Sequence, residues 1–326
     1  MTSTSANNPT NIFPSWIMAV LFCLISTNLD AQKAIERKGA SFVKTSLNAY
    51  SFYDLLIAGA QGKSDGMTLF QLLDFSAIQG FEAVDLTGYF FPGYPKVPSD
   101  DYIYAVKKRA FQLGLDISGT GVRNDFANPD SAKRAADVVL VKAWIDVAVK
   151  LGAPVIRVFA GELPKGYENK RAEVATYMAA SLKECADYGK LRGVIVGVQN
   201  HGDFLQTAEQ CLDMVNRVQS DWFGLIVDTG KFLTEDPYLD IEKALPYAVN
   251  FQLKESPFGP RSTIKTDLPR LMKIIRKSGY RGYLPIETLQ VKGEPRPVPD
   301  IPYNPYVLVP QLLKDVKAAI KAEYNL

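Results

Sequence analysis

Four stretches of this sequence set polar side chains at the ends of apolar runs: VQNHGDF (198–204), IVDTGKF (226–232), FQLKES (251–256) and LPIETL (284–289). Successive residues of a strand point to opposite faces, so Gln199 and His201 share one face, as do Gln252 and Lys254. Asp228 and Glu287 stand at the ends of their runs. Two carboxylates, Asp228 and Glu287, with two amide oxygens, from Gln199 and Gln252, make an all-oxygen set. Such a set suits Mg²⁺ or Mn²⁺ better than Zn²⁺. The chain has a single histidine, His201, which excludes a metal site built from several imidazoles.

The elements that must position these residues repeat one unit. A short β-type run is followed by a loop, an amphipathic helix and the next run. The strands are expected at 44–50, 82–87, 115–121, 154–159, 194–200, 223–228, 249–254 and 283–288. Helices are expected near 68–79, 101–113, 131–151, 171–192, 207–218, 238–247 and 267–278, with a last one over about 308–323. Asp130 and Ser131 cap the 131–151 helix and Gly152 with Pro154 closes it. Strands alternating with helices imply a parallel sheet with right-handed crossovers, and eight pairs close into a single-domain (β/α)8 TIM barrel. A doubly wound open sheet is the competing arrangement, but no GxGxxG or phosphate-loop motif follows the first strand, and no nucleotide cofactor is expected.

In such a barrel the site lies at the C-terminal strand ends. The earlier ends add Asn48, Tyr50, Asp85, Arg123, Arg157 and Glu162 to the set, and the sixth adds Lys231. Together they form a polar ring above an apolar barrel, an arrangement that holds a ligand. Arg157 paired with Asp85 or Glu162 would instead be structural. Aromatic residues crowd the first two loops, with Tyr50, Phe52 and Tyr53 in one and GYFFPGYP (88–95, including Tyr89) in the other. They suit the wall of a carbohydrate pocket or a loop packed on the barrel mouth.

The 326 residues are 47% hydrophobic and carry a net charge of +2, a balance that points to neither nucleic acid nor an acidic membrane surface. The apolar run from Trp16 to Ile25 is too short to span a bilayer and fits the core of a signal peptide cleaved after Ala31. That places residues 32–326 in the periplasm or outside the cell, with no membrane span in the mature chain. Without a true leader, these first residues are a packed helix or an over-extended start, and the protein is cytoplasmic. Cys185 and Cys211 read as free buried cysteines, with a disulfide between them as the alternative in an oxidising compartment. The barrel core occupies about 44–290, and 291–326 form a C-terminal loop and helix. The Pro-rich stretch 294–310 reads as an ordered loop, with a lid or an oligomer contact as alternatives.

The order of the four motifs, together with GTGVRNDF (119–126) and VIRVFAG (155–161), resembles the sugar phosphate isomerase/epimerase family of xylose-isomerase-like TIM barrels. In that family Glu, Asp, His and Glu at the ends of strands five to eight bind one divalent metal. Matched by position, they fall on Gln199, Asp228, Gln252 and Glu287. Two of the four depart, so the resemblance implies a metal held weakly or not at all, Mn²⁺ or Mg²⁺ if any. It also implies proton abstraction beside a carbonyl by two carboxylates. Glutamine cannot carry a proton, so Gln199 breaks the pair. Glu287 remains as one base, with His201, Lys254 or Glu255 as its partner. His201 has a reference pKa near neutrality, or else it is a hydrogen-bonded support. Lys254 is an electrophile for an enediolate oxygen or a charge partner for Asp228 or Glu287.

These readings converge on a sugar isomerase/epimerase-like enzyme acting on a small carbohydrate or keto-sugar. A lyase or hydrolase that eliminates a glycosidic bond from an oxidised sugar needs only one base and an oxyanion stabiliser. A sugar-binding barrel without catalysis is the alternative of another class. The superfamily's apurinic-site endonucleases need many histidines, which this chain lacks.

Overall fold

The computed structural model describes residues 1–2, 32–255, 259–261, 264–289 and 303–325. The chain divides into two units, Met1–Ala31 and Gln32–Leu326. The signal-peptide expectation for the first unit and most of the Pro-rich stretch lie outside the described residues. No helix among the described residues is long and apolar enough to cross a membrane.

The second unit is a closed barrel of eight parallel strands in sequence order. The strands are β1 (Phe42–Asn48), β2 (Ala83–Thr87), β3 (Asp116–Gly121), β4 (Val155–Phe159), β5 (Ile195–Gln199), β6 (Phe223–Asp228), β7 (Ala248–Lys254) and β8 (Arg281–Glu287). The helices are α1 (Tyr53–Ala60), α2 (Leu69–Gln79), α3 (Asp100–Gln112), α4 (Ser131–Leu151), α5 (Arg171–Arg192), α6 (Ala208–Val218), α7 (Pro237–Ala244), α8 (Leu268–Lys277) and α9 (Pro305–Tyr324). Local chemistry sets their ends. Thr68 and Gln71 form a reciprocal capping box at α2, and the Asp130 carboxylate accepts from the Ala132 amide at α4. Gly152 closes α4 at φ 81°, a conformation that costs a Cβ-bearing residue energy.

The expected strands and helices are present, with two differences. The first strand ends at Asn48 rather than 50, because a 3-10 turn over Ala49–Phe52 leads directly into α1. No local signal marks that helix, since no glycine or proline separates it from the aromatic cluster. The last helix begins at Pro305, capped by the Asn304 side chain, and carries Pro310 within it.

Leucine, isoleucine and valine of the strands face outward beneath the helices, as at Leu47, Ile156, Val198, Val227, Leu253 and Ile286, all buried. The barrel interior, expected to be apolar, is instead polar along its length. At the lower end Lys44 pairs with Asp116 at 2.7 Å, and the Tyr283 hydroxyl donates to the same carboxylate. Above it Ser46 and Ser118 share a hydrogen bond of 2.8 Å, and Asn250 Nδ2 donates to the Ser118 carbonyl. The third level holds the strand-end residues. Cys185 and Cys211 are free and buried.

Candidate active site

Strand register brings the site together. Asp228 lies beside Gln252 across β6 and β7, and Lys254 beside Glu287 across β7 and β8. Asn250, Gln252 and Lys254 alternate along one face of β7, so three levels of the interior are furnished by one strand. Lys254 Nζ stands 2.8 Å from Asp228 Oδ2 and 3.3 Å from Glu287 Oε1, and at most 4% of any of these three side chains is exposed. Gln199 Nε2 donates to Asp228 Oδ2 at 2.5 Å and to Gln252 Oε1 at 2.9 Å. Asn48 Nδ2 donates to Glu287 Oε2 at 2.6 Å. The result is a closed network of two carboxylates, one ammonium and three amides.

Burial alone would lower the Lys254 pKa, but the two carboxylates raise it above that of an ordinary lysine. The group is therefore a permanent cation. Burial raises the pKa of Glu287, and Lys254 partly reverses this while Asp228 adds to it. A carboxylate with a raised pKa is a better proton acceptor than a solvent-exposed one.

Above this network opens a cavity of about 850 Å³. Asn48, Tyr50, Tyr89, Arg123, Arg157, Glu162, Gln199, His201, Lys231, Gln252, Lys254 and Glu287 all line it. Asp228 lies fully buried beside the floor, where Asn200 also brackets its backbone. Two expected residues are placed elsewhere. Asp85 is one level down inside the barrel, against Asn250, and a Cβ at Gly119 would come within 2.6 Å of its carboxylate. Burial raises its pKa to about 6 against the pull of Arg157. Glu255 is exposed and outside the cavity, because it follows Lys254 and alternation turns it to the other face. Partial burial raises its pKa, and the Asp315 charge of α9 adds to this.

His201 lines the cavity with its ring centroid 4.7 Å from that of Phe159. Burial, and then the charges of Lys254, Lys231, Arg157 and Arg123, push its pKa down to about 2. It stays neutral at physiological pH and is a poor proton acceptor, unlike its reference value suggests. Asp125, Asp203 and Phe159 also line the cavity and were not singled out from sequence. Asp125 and Asp203 sit inside the quoted motifs GTGVRNDF and VQNHGDF, a few residues past the strand ends, where loop geometry decides the direction of a side chain.

The aromatic residues divide between the cavity wall and the packing of the barrel mouth. Tyr50 and Tyr89 meet edge-on at 6.3 Å on the cavity wall. Phe90 and Phe91 are buried, and Phe91 packs edge-on against Trp144.

A sequence profile described as xylose isomerase-like TIM barrel matches residues 73–301. The chain belongs to this xylose isomerase-like TIM barrel family. Solved structures share its architecture. A D-psicose 3-epimerase determined in the presence of D-fructose superposes with a TM-score of 0.69 at 16% identity, covering 85% of this chain and 99% of that one. The 3-keto-D-glucoside 4-epimerase YcjR from E. coli gives 0.63 at 11% identity, over 85% and 99% of the two chains. The IolI protein with a bound zinc atom gives 0.67 at 15% identity, over 87% and 100%. At these identities the likeness is one of fold. No curated protein matches the chain in sequence.

The zinc of that neighbour raises the question of whether this family member's residues fit a metal. Asp228 Oδ2 and Gln252 Oε1 both accept from Gln199, which fixes its amide with the NH₂ group inward. Asp228 and Glu287 both face the Lys254 ammonium, and the second oxygen of Glu287 faces Asn48. A divalent cation would meet N–H hydrogens and a fixed positive charge where it needs lone pairs. Among the described residues no group of three or more His, Cys, Asp or Glu side chains is placed to hold a metal. The four strand-end residues converge as expected, but as a hydrogen-bonded set around an ammonium, and they do not fit a divalent metal.

Proposed function

We propose that this protein is a sugar isomerase/epimerase-like enzyme acting on a carbohydrate by proton abstraction next to a carbonyl. The supporting observation is the Glu287–Lys254 pair at the floor of the cavity. It sets a carboxylate base of raised pKa 3.3 Å from a permanent ammonium. A keto-sugar placed with its carbonyl oxygen near Lys254 Nζ gives up the proton of the adjacent carbon to Glu287. The electron pair of the C–H bond moves into the new C=C bond, and the carbonyl π pair moves to oxygen. The ammonium offsets that oxygen's charge in a site shielded from water. Asn48 holds the carboxylate in place, and Asp228 keeps the lysine charged.

A second reading has a specific observation behind it. Gln199 cannot carry a proton, and His201, with its pKa near 2, is a weak base. Of the strand-end residues on the cavity floor, Glu287 is then the one proton acceptor. One base suits return of the proton on the same face to a neighbouring carbon. It equally suits elimination, in which the C=C bond forms as a glycosidic oxygen leaves from the carbon beyond. The structures that share this fold include a D-psicose 3-epimerase and a 3-keto-D-glucoside 4-epimerase, which supports a carbohydrate as the substrate class.

The test is solvent exchange. The protein is incubated in D₂O with ketohexoses and 3-keto-glucosides, and deuterium entry beside the carbonyl is read by NMR. Wild type should exchange, and Glu287→Gln should lose exchange while still binding the sugar. No exchange with any of these sugars, together with retained binding, would leave a sugar-binding barrel.

A further inference from the structure

Arg157 of β4 is 4% exposed and lines the cavity. Its Nη1 donates to the Val122 carbonyl at 3.0 Å and its Nη2 to the Tyr89 hydroxyl at 3.2 Å. The Phe159 ring centroid lies 4.1 Å from its Cζ. A Cβ at Gly121 would come within 2.8–3.0 Å of its Nε, Nη2 and Cζ, so glycine is what leaves room for the guanidinium. The group is thus held in a fitted slot of backbone, hydroxyl and ring.

Its charge has no ion-pair partner among the described residues, and Asp85 and Glu287 act on it only at longer range. The arginines that do have one, Arg109, Arg192, Arg217, Arg261, Arg270 and Arg276, each have about a third or more of the side chain exposed. Pairing is thus spent at the surface and withheld from the buried guanidinium, where it matters most, because a buried charge without a partner is costly. Neither of the structural partners expected from sequence fills the role. Asp85 acts on Arg157 only through space from the level below, and Glu162 is exposed. Arg123 and Lys231 line the same cavity and likewise form no ion pair with a described residue.

In the closed strand order β4 stands opposite β8. A ligand whose reacting end meets Glu287 and Lys254 on one side turns its other end toward Arg157. We infer that Arg157 forms an oxyanion subsite and that the substrate is a carbohydrate bearing a carboxylate, a uronate or an aldonate. This rests on the sugar chemistry proposed above. A planar guanidinium with N–H groups to spare matches a carboxylate edge to edge. Phosphate shares the oxyanion chemistry, and the test separates the two.

Calorimetry on the full chain compares D-glucuronate, D-galacturonate and D-glucose 6-phosphate with D-glucose and D-galactose. At least one uronate should bind about tenfold or more tighter than its neutral counterpart, the value of a charge-assisted hydrogen bond. Arg157→Met should erase that preference, and Arg157→Lys should restore part of it. Arg123→Gln, at an exposed position, should weaken it severalfold and covers the case in which Arg157→Met does not fold. Equal affinity for charged and neutral sugars overturns the inference, as does a preference that survives Arg157→Met. A preference for the phosphate alone overturns the carboxylate assignment. Failure of the proton-abstraction reading looks different: deuterium exchange is absent while the anion preference persists.

Discussion

Replacing Lys254 with methionine keeps most of the side-chain volume and removes the charge. At an effective dielectric constant of about 20, the ammonium attracts Asp228 at 2.8 Å by about 6 kcal/mol and Glu287 at 3.3 Å by about 5 kcal/mol. Desolvation of all three groups offsets much of this in the wild type. Removing one partner instead leaves two buried carboxylates facing one another, and the expected cost is about 3–5 kcal/mol. The loss should depend on pH with a definite sign. Without the ammonium, the pKa of one carboxyl rises in the folded state above its unfolded value. The folded variant then binds a proton more tightly than the unfolded chain, so its stability increases as pH falls. Urea denaturation of wild type and Lys254→Met at pH 8 and pH 5 measures both effects. The stability gap should be largest at pH 8 and should shrink by about 1 kcal/mol or more at pH 5. A gap below about 1 kcal/mol that is the same at both pH values would refute the ammonium's place between the carboxylates.

Three further outcomes follow from the same geometry. Lys254→Ala clears the space between Asp228 and Glu287, so Mn²⁺ should raise the melting temperature of that variant and not that of the wild type; equal shifts in both would contradict the fit argued for the wild-type site. The sole imidazole, His201, should show no NMR titration between pH 5 and pH 8, given a pKa driven to about 2 by burial and surrounding cations; a midpoint near 6 would restore it as a proton carrier. Asp85 has a folded pKa of about 6 against 3.8 for the free group, so its protonated form stabilises the fold below pH 3.8 and that stability is lost as pH rises through 6. Asp85→Asn should flatten the stability profile between pH 4 and pH 7 by up to about 3 kcal/mol, and an unchanged slope in urea titrations would refute its burial as a lone acid.

Much of the fold was legible because barrel elements obey local rules. Apolar strands of five to seven residues, helices closed by glycine and capped by Asp or Thr, and their strict alternation all follow from short-range chemistry. The same alternation put Gln199, Asp228, Gln252, Lys254 and Glu287 at strand ends, and strand ends in a barrel converge. Where a departure from alternation was needed, sequence gave less. The turn that carries Tyr50 into α1 and the loops that aim Asp125 and Asp203 at the cavity are set by backbone geometry beyond the strands.

By itself the sequence determined that the site would hold few imidazoles, two carboxylates and two glutamines, because residue types are fixed before folding. Only the tertiary structure decided what these groups are to one another. Register across β6, β7 and β8 placed the Lys254 ammonium between Asp228 and Glu287, and that pairing turned an apparent ligand set into a closed ionic network. Burial then separated groups of similar reference chemistry. It left His201 neutral, Asp85 with a raised pKa below the floor and Arg157 without an ion-pair partner among the described residues, while Glu255, one residue past Lys254, was turned out to solvent. Such differences arise from desolvation and from distances between strands far apart in the chain, which no local pattern encodes.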